Sequence, residues 1–588
     1  MDRSSLIRVI GIAILIFVSY KFLGPALGLT PKSETAQSVP FELYADAPGF
    51  APDDVDVPAG QAVPPTPPET LCSIKGTRFE AVLSSRGAAL THFFLRDPQY
   101  AGTEGLDLVT TNLERFRPLR TLFRGEKPGQ QVKYDRFDWK LAPSDGTSCV
   151  FSYTDDLVRI EKRIVPDDRP FELVVNTTIT NLSPEPRSHT LSVETFAYHT
   201  NKELKSGYGR QSPFATELSC ARGGDIKRKA RDDFKESGWF SVPLVNRYVA
   251  VSNAFFAEAL VPVAGPEGDK PECDLLARDW HAANQARDDE TAGAIYDAKL
   301  IYPSQELKPK ASATYEQIAF FGPKERDVLA KAAGGEPQVG DVINLGFFSP
   351  VAKVLVGILV FFHSHVTFGN WGLAIIAMTV CLRLLLLPLS IKPVKTAIAM
   401  RKLKPEIDAI GLKFKDDAQA KNLATMELYR KYGVNPLGGC LPQLVQMPVW
   451  FAMYTTLQTA VEMYHEKFLW FTDLSAPDKL FILPLVLGAF MVVQQKIVPQ
   501  QGMDPVQAKM MMWMLPGIFT FMMLFLPAAL GVYMLTNSVL GIVQQLVIER
   551  IAPRGGPPGD GAIVVKSLNK DDGDGPLGGT FGKGKARV

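Results

Sequence analysis

The stretch Trp371-Gly-Leu-Ala-Ile-Ile-Ala-Met-Thr-Val-Cys-Leu-Arg383-Leu-Leu-Leu-Leu-Pro-Leu-Ser390 decides how the second half of this chain is read. It is apolar over about the length a helix needs to cross a bilayer, roughly 20 residues, and it carries one guanidinium. Arginine does not shed its charge in a protein. At the centre of a membrane helix it costs about 3 kcal/mol on insertion scales and about 10 or more in simulations. A chain keeps such a residue only beside water or partners. One reading is a structural arginine bound to backbone carbonyls. The other is a water-filled cavity lined by a free, fixed positive charge. No Asp or Glu occurs in the apolar segments 371–390, 439–461, 480–498, 509–525 or 528–548. No carboxylate there can pair with Arg383, and the hydrated cavity with Arg383 free is the better reading.

Outward from that stretch the chain divides into two solvents. Its 588 residues are 46% hydrophobic and 21% charged, with a net charge of +1. That balance gives no sign of nucleic-acid binding. Residues 66–340 read as soluble protein and 342–550 as membrane. The stretch 510–548 has no charged residue. As one helix it would be nearly 60 Å long at about 1.5 Å per residue, twice the hydrocarbon thickness, so a hairpin turning at Leu526-Pro527 is expected. After Pro350, residues 351–362 supply only eleven apolar positions around Lys353. They read as a helix lying in the outer interface, the alternative being a further span. The N-terminal run 9–18, after Arg3 and Arg8, is either a cleaved signal peptide or an uncleaved anchor. Lys21 interrupts the approach to a cleavage site at Ala26-Leu27-Gly28, which favours the anchor and a total of six spans.

Between these lies an exported region. Residues 30–69 are rich in proline and form a linker. From about Thr70 to Gly322 short β-rich runs alternate, as in Val158-Arg-Ile160-Glu-Lys-Arg-Ile164, with Pro, Asn, Gly and Asp between them. This pattern gives a large antiparallel sandwich, followed by a short helix over 325–333. Cys72, Cys149, Cys220 and Cys273 fall here, and spacing leaves their connectivity open. Cys381 and Cys440 read as packing residues in membrane segments. There is no CxxC pair and no Cys/His ligand spacing, so no metal and no cofactor are expected.

Orientation follows the basic residues. The loop 392–434 carries ten Lys or Arg against five Asp or Glu, and the tail from Glu549 carries seven Lys or Arg. The segment 462–479 is net acidic. Loop and tail are expected inside, with the sandwich outside. The loop itself reads as a helical hairpin. Met400, Leu403, Ile407 and Ile410 share a face over 393–412, which Pro405 kinks. A second helix starts with a capping-box-like Asp416-Asp-Ala-Gln419 and stops before Gly433 and Pro436.

Several motifs agree in order and spacing. Asn435-Pro-Leu-Gly-Gly-Cys-Leu-Pro-Gln-Leu-Val-Gln-Met-Pro-Val449, the Trp371-Gly span with Arg383 and Pro388, and Tyr533 with Thr536-Asn537 resemble the YidC/Oxa/Alb family of membrane protein insertases, Gram-negative type. The resemblance covers essentially the whole chain. It implies a multi-domain membrane protein: a periplasmic antiparallel β-supersandwich of sugar-mutarotase type plus a five-helix insertase core with an additional N-terminal transmembrane anchor. The implied parts are anchor 1–29, linker 30–69, periplasmic sandwich 70–340, interfacial amphipathic helix 341–369, transmembrane helix 370–391, cytoplasmic hairpin 392–437, four further transmembrane helices over 438–549 and basic tail 550–588. It implies a hydrophilic groove open to cytoplasm and lipid, with Arg383 as its charge and Thr379, Gln446, Tyr533 and Thr536 as further lining residues. The implied partners are nascent membrane proteins, the Sec translocon, the ribosome through the hairpin and tail, and the lipid bilayer. The location is the bacterial inner membrane, with both termini cytoplasmic. Leu387 stands where relatives can carry a tyrosine, so no groove role is carried to it. The interfacial helix has Lys353 as its only charge.

Two other classes compete. A small-anion transporter would use Arg383 as its binding charge, but no inverted repeat around a midplane site is visible. An enzyme acting on sugars would need a catalytic constellation in the sandwich, and His92, His189, His199 and His281 are scattered with no paired carboxylates. The chain is expected to be no enzyme.

Overall fold

In the computed structural model the described residues are 68–101, 105–111, 116–124, 139–144, 146–154, 156–205, 212–234, 240–264, 270–280, 289–290, 292–335, 339–388, 403–414, 417–432, 441–497 and 505–551. The expected N-terminal anchor, nearly all of the linker, the residues 393–402 of the hairpin, Cys440 and almost all of the basic tail lie outside them.

The period-two segments form three sheets in which neighbouring strands run antiparallel. The largest has nine strands. Its middle is the run Tyr248–Ser252, Phe256–Ala264, Ser312–Pro323, Glu172–Asn181 and Val158–Pro166. A second sheet is built around Arg187–Thr200, Gly293–Ile301 and Glu272–Trp280. A third, of four strands, begins with Leu71–Gly76. Alternation puts Ile160 and Ile164 inside, because successive side chains of a strand point to opposite faces. One continuous apolar core joins all three sheets.

Covalent and polar ties cross between the layers. Cys72 pairs with Cys149 and Cys220 with Cys273, at Cα separations of 6.0 and 6.3 Å. Each joins strands of different sheets. In the chain-entropy picture, loops of this size are worth about 4 kcal/mol each. Lys162, fully buried, reaches across to the Leu119 carbonyl and to Thr121 Oγ1 at 2.8 Å. Burial without a carboxylate pushes its pKa down to about 7.

The helical part follows. We label α1 Ser349–His365, α2 Trp371–Leu385, α3 Lys404–Lys413, α4 Ala418–Lys431, α5 Leu441–Gln458, α6 Ile482–Ile497, α7 Pro505–Met523 and α8 Ala528–Ile551. By length and composition the stretch Ala528–Ile548 of α8 is long and apolar enough to cross a membrane, while α1, α2, α6 and part of α7 are shorter apolar helices. The break between α7 and α8 falls at residues 524–527, around Leu526-Pro527. Helices α1, α2, α5, α6 and α8 share a second apolar core. The short helix expected over 325–333 is one turn, Arg326–Leu329, followed by a 3-10 turn, Ala332–Gly334.

The hairpin α3–α4 departs from the sequence reading at the cap of its second helix. Pro405 stands in the first turn of α3, a position where its missing N–H has no intrahelical partner to lose; the part of the expected helix before it lies outside the described residues. The cap of α4 is Asp417, not Asp416: its carboxylate accepts from the Gln419 and Ala420 backbone N–H groups. Leu403, Leu428 and Tyr429 close the hairpin, with Ile407 and Ile410 against them.

Sandwich and helices meet at residues 461–465, in the α5–α6 loop. Val461 is buried in the sandwich core. Arg326 of the sandwich pairs with Glu462 at 2.7 Å. Gln99 donates to the backbone carbonyls of Glu462 and Tyr464. Tyr464 packs its ring against Phe255, Phe256 and Tyr100.

Candidate functional site: an arginine between two apolar helices

Arg383 lies in the last turn of α2, and Thr379 lies one turn earlier on the same face. Facing them is α8, which packs along α2. Tyr533, Asn537, Gly541 and Gln544 recur at spacings of four, four and three, one stripe of α8.

The guanidinium is half-buried and not free. Its Nε donates to Asn537 Oδ1 at 2.7 Å, one Nη to the Asn537 carbonyl at 2.9 Å and the other to Gln544 Oε1 at 3.5 Å. The expectation of an unpartnered Arg383 is therefore corrected. The alternative of an arginine bound to backbone carbonyls is met in part by the Asn537 carbonyl, and the two side-chain amides, Asn537 and Gln544, were not foreseen. These acceptors satisfy donors but bring no negative charge. Among the described residues Arg383 forms no ion pair. Among the described residues the cation is thus held by neutral acceptors alone.

Gly541 makes the room. A Cβ there would lie 3.2 Å from an Arg383 Nη and 3.4 Å from Gln494 Nε2 of α6. Thr379 is 1% exposed and donates its hydroxyl to the Ile375 carbonyl of its own helix at 2.6 Å. Tyr533 is 2% exposed and belongs to the helical core. Thr536 is half-buried on the neighbouring face of α8. Gln446 lies in α5, and its side chain is outside the described residues. The structure thus brings Arg383 onto α8, one turn from Tyr533, while Thr379 turns its hydroxyl back onto α2. The sequence reading missed Asn537, Gln544 and Gly541 as partners of Arg383, although their helical spacing from Tyr533 was present.

An antiparallel sandwich in one piece of chain, and in the next apolar helices, one of them long and apolar enough to cross a membrane, closing on a half-buried cation, are the parts of a membrane protein with a large folded domain. Residues 71–358 match the family model described as the YidC periplasmic domain, and residues 361–554 match that of the 60Kd inner membrane protein. The membrane protein insertase YidC of Nitratidesulfovibrio vulgaris strain DP4 is 32% identical over 588 residues, 94% of this chain and 100% of that protein. That of Anaeromyxobacter dehalogenans strain 2CP-C is 33% identical over 499 residues, 83% of this chain and 87% of that protein. A crystal structure of an active YidC insertase with its first transmembrane domain resolved is 19% identical, covering 82% of this chain and 94% of that one, with a TM-score of 0.34. The chain belongs to the YidC family of membrane protein insertases.

Proposed function

We propose that this protein inserts nascent membrane proteins into the bacterial inner membrane and helps them fold, without nucleotide or bond chemistry. The barrier is carrying a polar, often acidic, segment through hydrocarbon. A groove open to cytoplasm and lipid shortens that path with water, and Arg383 attracts carboxylates in the passing segment. Thr379, Gln446, Tyr533 and Thr536 line the groove around it. A client span then gains energy by sliding into lipid, and the membrane potential adds about 2.3 kcal/mol per charge per 100 mV.

The observation that carries this reading is the cation held by neutral acceptors between α2 and α8. The contact of residues 461–465 with the sandwich supports the orientation. Loop and sandwich must lie on one side, so an even number of crossings separates them. Helices α2 and α5 supply two, leaving α1 as an interfacial helix. The hairpin and basic tail then face the cytoplasm, where they meet the ribosome, and the protein works alone or with the Sec translocon.

The test is insertion by the reconstituted full chain. Arg383→Ala should reduce insertion of a client with an acidic exported segment about tenfold, as roughly 1.4 kcal/mol of lost attraction would give, with Arg383→Lys milder. A client whose acidic residues are neutralised should be little affected. Equal impairment of both clients would remove charge attraction from the mechanism.

A further inference from the structure

The loop 459–481 between α5 and α6 carries more acid than base, yet three of its four carboxylates are engaged within the protein. Glu462 pairs with Arg326. Asp473 accepts from the His465 and Ser475 backbone N–H groups and from the Ser475 hydroxyl. Asp478 is buried and accepts from the Leu480 and Leu483 N–H groups at the start of α6. What the loop presents outward is basic and apolar. Lys467 and Lys479 are exposed, and so are Leu469, Trp470, Leu480 and Phe481. The order Lys-Phe-Leu-Trp at 467–470 recurs in shorter form as Lys-Leu-Phe at 479–481.

The backbone holds these apolar residues out. Phe468 and Phe471 exchange hydrogen bonds at 3.1 and 2.8 Å. They close a tight turn with Leu469 and Trp470 at its tip, while both Phe side chains are buried. Leu469 sits at a φ of 50° and Phe481 at 57°. Phe368, fully exposed in the connection before α2, sits at 53°. Left-handed backbone is uncommon for residues other than glycine, and turns facing water take Gly, Asn or Asp there. All three residues lie at one end of the helices. Phe481 directly precedes α6, Phe368 stands three residues before α2, and the Phe468 ring lies against Gly372 of α2. The sandwich docks at this same end, and it occupies the side of the loop that bears Val461, Glu462 and Tyr464.

A loop facing water shows its acids and hides its apolar residues, the reverse of what stands here. Exposed apolar patches mark contact surfaces. Aromatic rings collect at membrane interfaces, and lysine lays its stem along apolar surface with its ammonium among polar groups. We propose that residues 467–470 and 479–481, with Phe368, form a lipid-docking rim. Lys467 and Lys479 meet phospholipid phosphates, Trp470 and Phe481 lie at the headgroup boundary, and Leu469 and Leu480 enter the acyl region, about 5–10 Å deep. The rim is a bilayer contact separate from α1, and through residues 461–464 it sets the height of the sandwich above the membrane. The inference rests on the membrane placement of α2 and α6 proposed above, and not on the role of Arg383.

The experiment spin-labels the full chain at Leu469→Cys and, separately, at Leu480→Cys, each with Cys381→Ser and Cys440→Ser. The labelled chains are reconstituted into bilayers of phosphatidylethanolamine and phosphatidylglycerol. Collision with oxygen, which concentrates in lipid, is compared with collision with a water-soluble nickel chelate. The oxygen-to-nickel ratio should be several-fold higher at 469 and 480 than at Val263→Cys, an exposed apolar position of the sandwich. Lys467→Glu combined with Lys479→Glu should lower the ratio at 469. A water-like ratio at either loop position would overturn the proposal. So would a label shielded from both reagents, as beneath a client or a second copy of the chain, or a ratio at 469 indifferent to the charge reversal. The ratios do not depend on client insertion, so a failed insertion assay leaves them standing.

Discussion

Asn537 meets Arg383 with its side-chain oxygen and its backbone carbonyl at once, and this arrangement separates two roles of the arginine. Asn537→Asp keeps the acceptor and adds a negative charge, so a purely structural arginine would be held at least as well. We predict that thermal stability is retained while insertion of acidic clients falls as far as in Arg383→Ala. Wild-type insertion by this variant, measured by protease protection of the client, would show that the positive field is idle. Glu258 gives a pH prediction. Its carboxyl is raised from 4.5 to about 8 by burial, so the folded state holds this proton better than the unfolded chain. That contribution is full below the ordinary carboxylate range and is lost as pH rises toward 8. It is on the order of a few kcal/mol for a fully buried group. Glu258→Gln should therefore flatten the fall in sandwich stability between about pH 5 and 8 relative to wild type. Parallel melting curves of the two proteins across that range would contradict the shift.

Among the elements, α2 begins under a steric constraint. Asn370 caps it by accepting from the Leu373 N–H at 2.9 Å, and a Cβ on Gly372 would lie 2.2 Å from the Phe468 ring. Gly372→Val must displace that ring, at a cost of about 1–3 kcal/mol. The melting temperature in detergent should drop, and Phe468→Ala should recover part of it, a coupling that independent sites would not show. Much at this scale was legible. The uncharged stretch 510–548 was too long for one span, and the chain turns at 524–527. Leu403, Ile407 and Ile410 share one face of the hairpin cluster. Legibility failed where local signals were equivalent. Asp416 and Asp417 are both adequate caps by type, and only the backbone shows that Asp417 accepts the N–H groups. Likewise Arg383's partners are amides from a helix some 150 residues away, and sequence marks a missing carboxylate more readily than a present amide.

For the whole molecule, the sandwich was readable from period-two runs, while its seam with the helices was not. Nothing in the segment 459–466 distinguishes Val461 from any other loop valine until it appears in the sandwich core. The four exported cysteines were visible, but their pairing needed the fold. The polar groove candidates all lie after residue 370, so we predict that deleting residues 70–320, with 1–69 and 321–346 kept, leaves client insertion largely intact. The same deletion strips Val461 and Tyr464 of their partners and should lower the melting temperature of what remains. Complete loss of insertion by a stable, correctly integrated remnant would sink this prediction.

The seam also has a consequence for the order of events during synthesis. The strands of the sandwich are all made by Pro323, yet Val461 emerges well over a hundred residues later, after α2, the hairpin and α5. Until then the domain has an apolar socket with no plug. In the orientation proposed above, the socket is filled only when α5 has delivered the following loop to the same side as the sandwich. On that orientation, completion of the sandwich core waits on the threading of the helices, and a chain threaded the wrong way round would leave the place of Val461 empty.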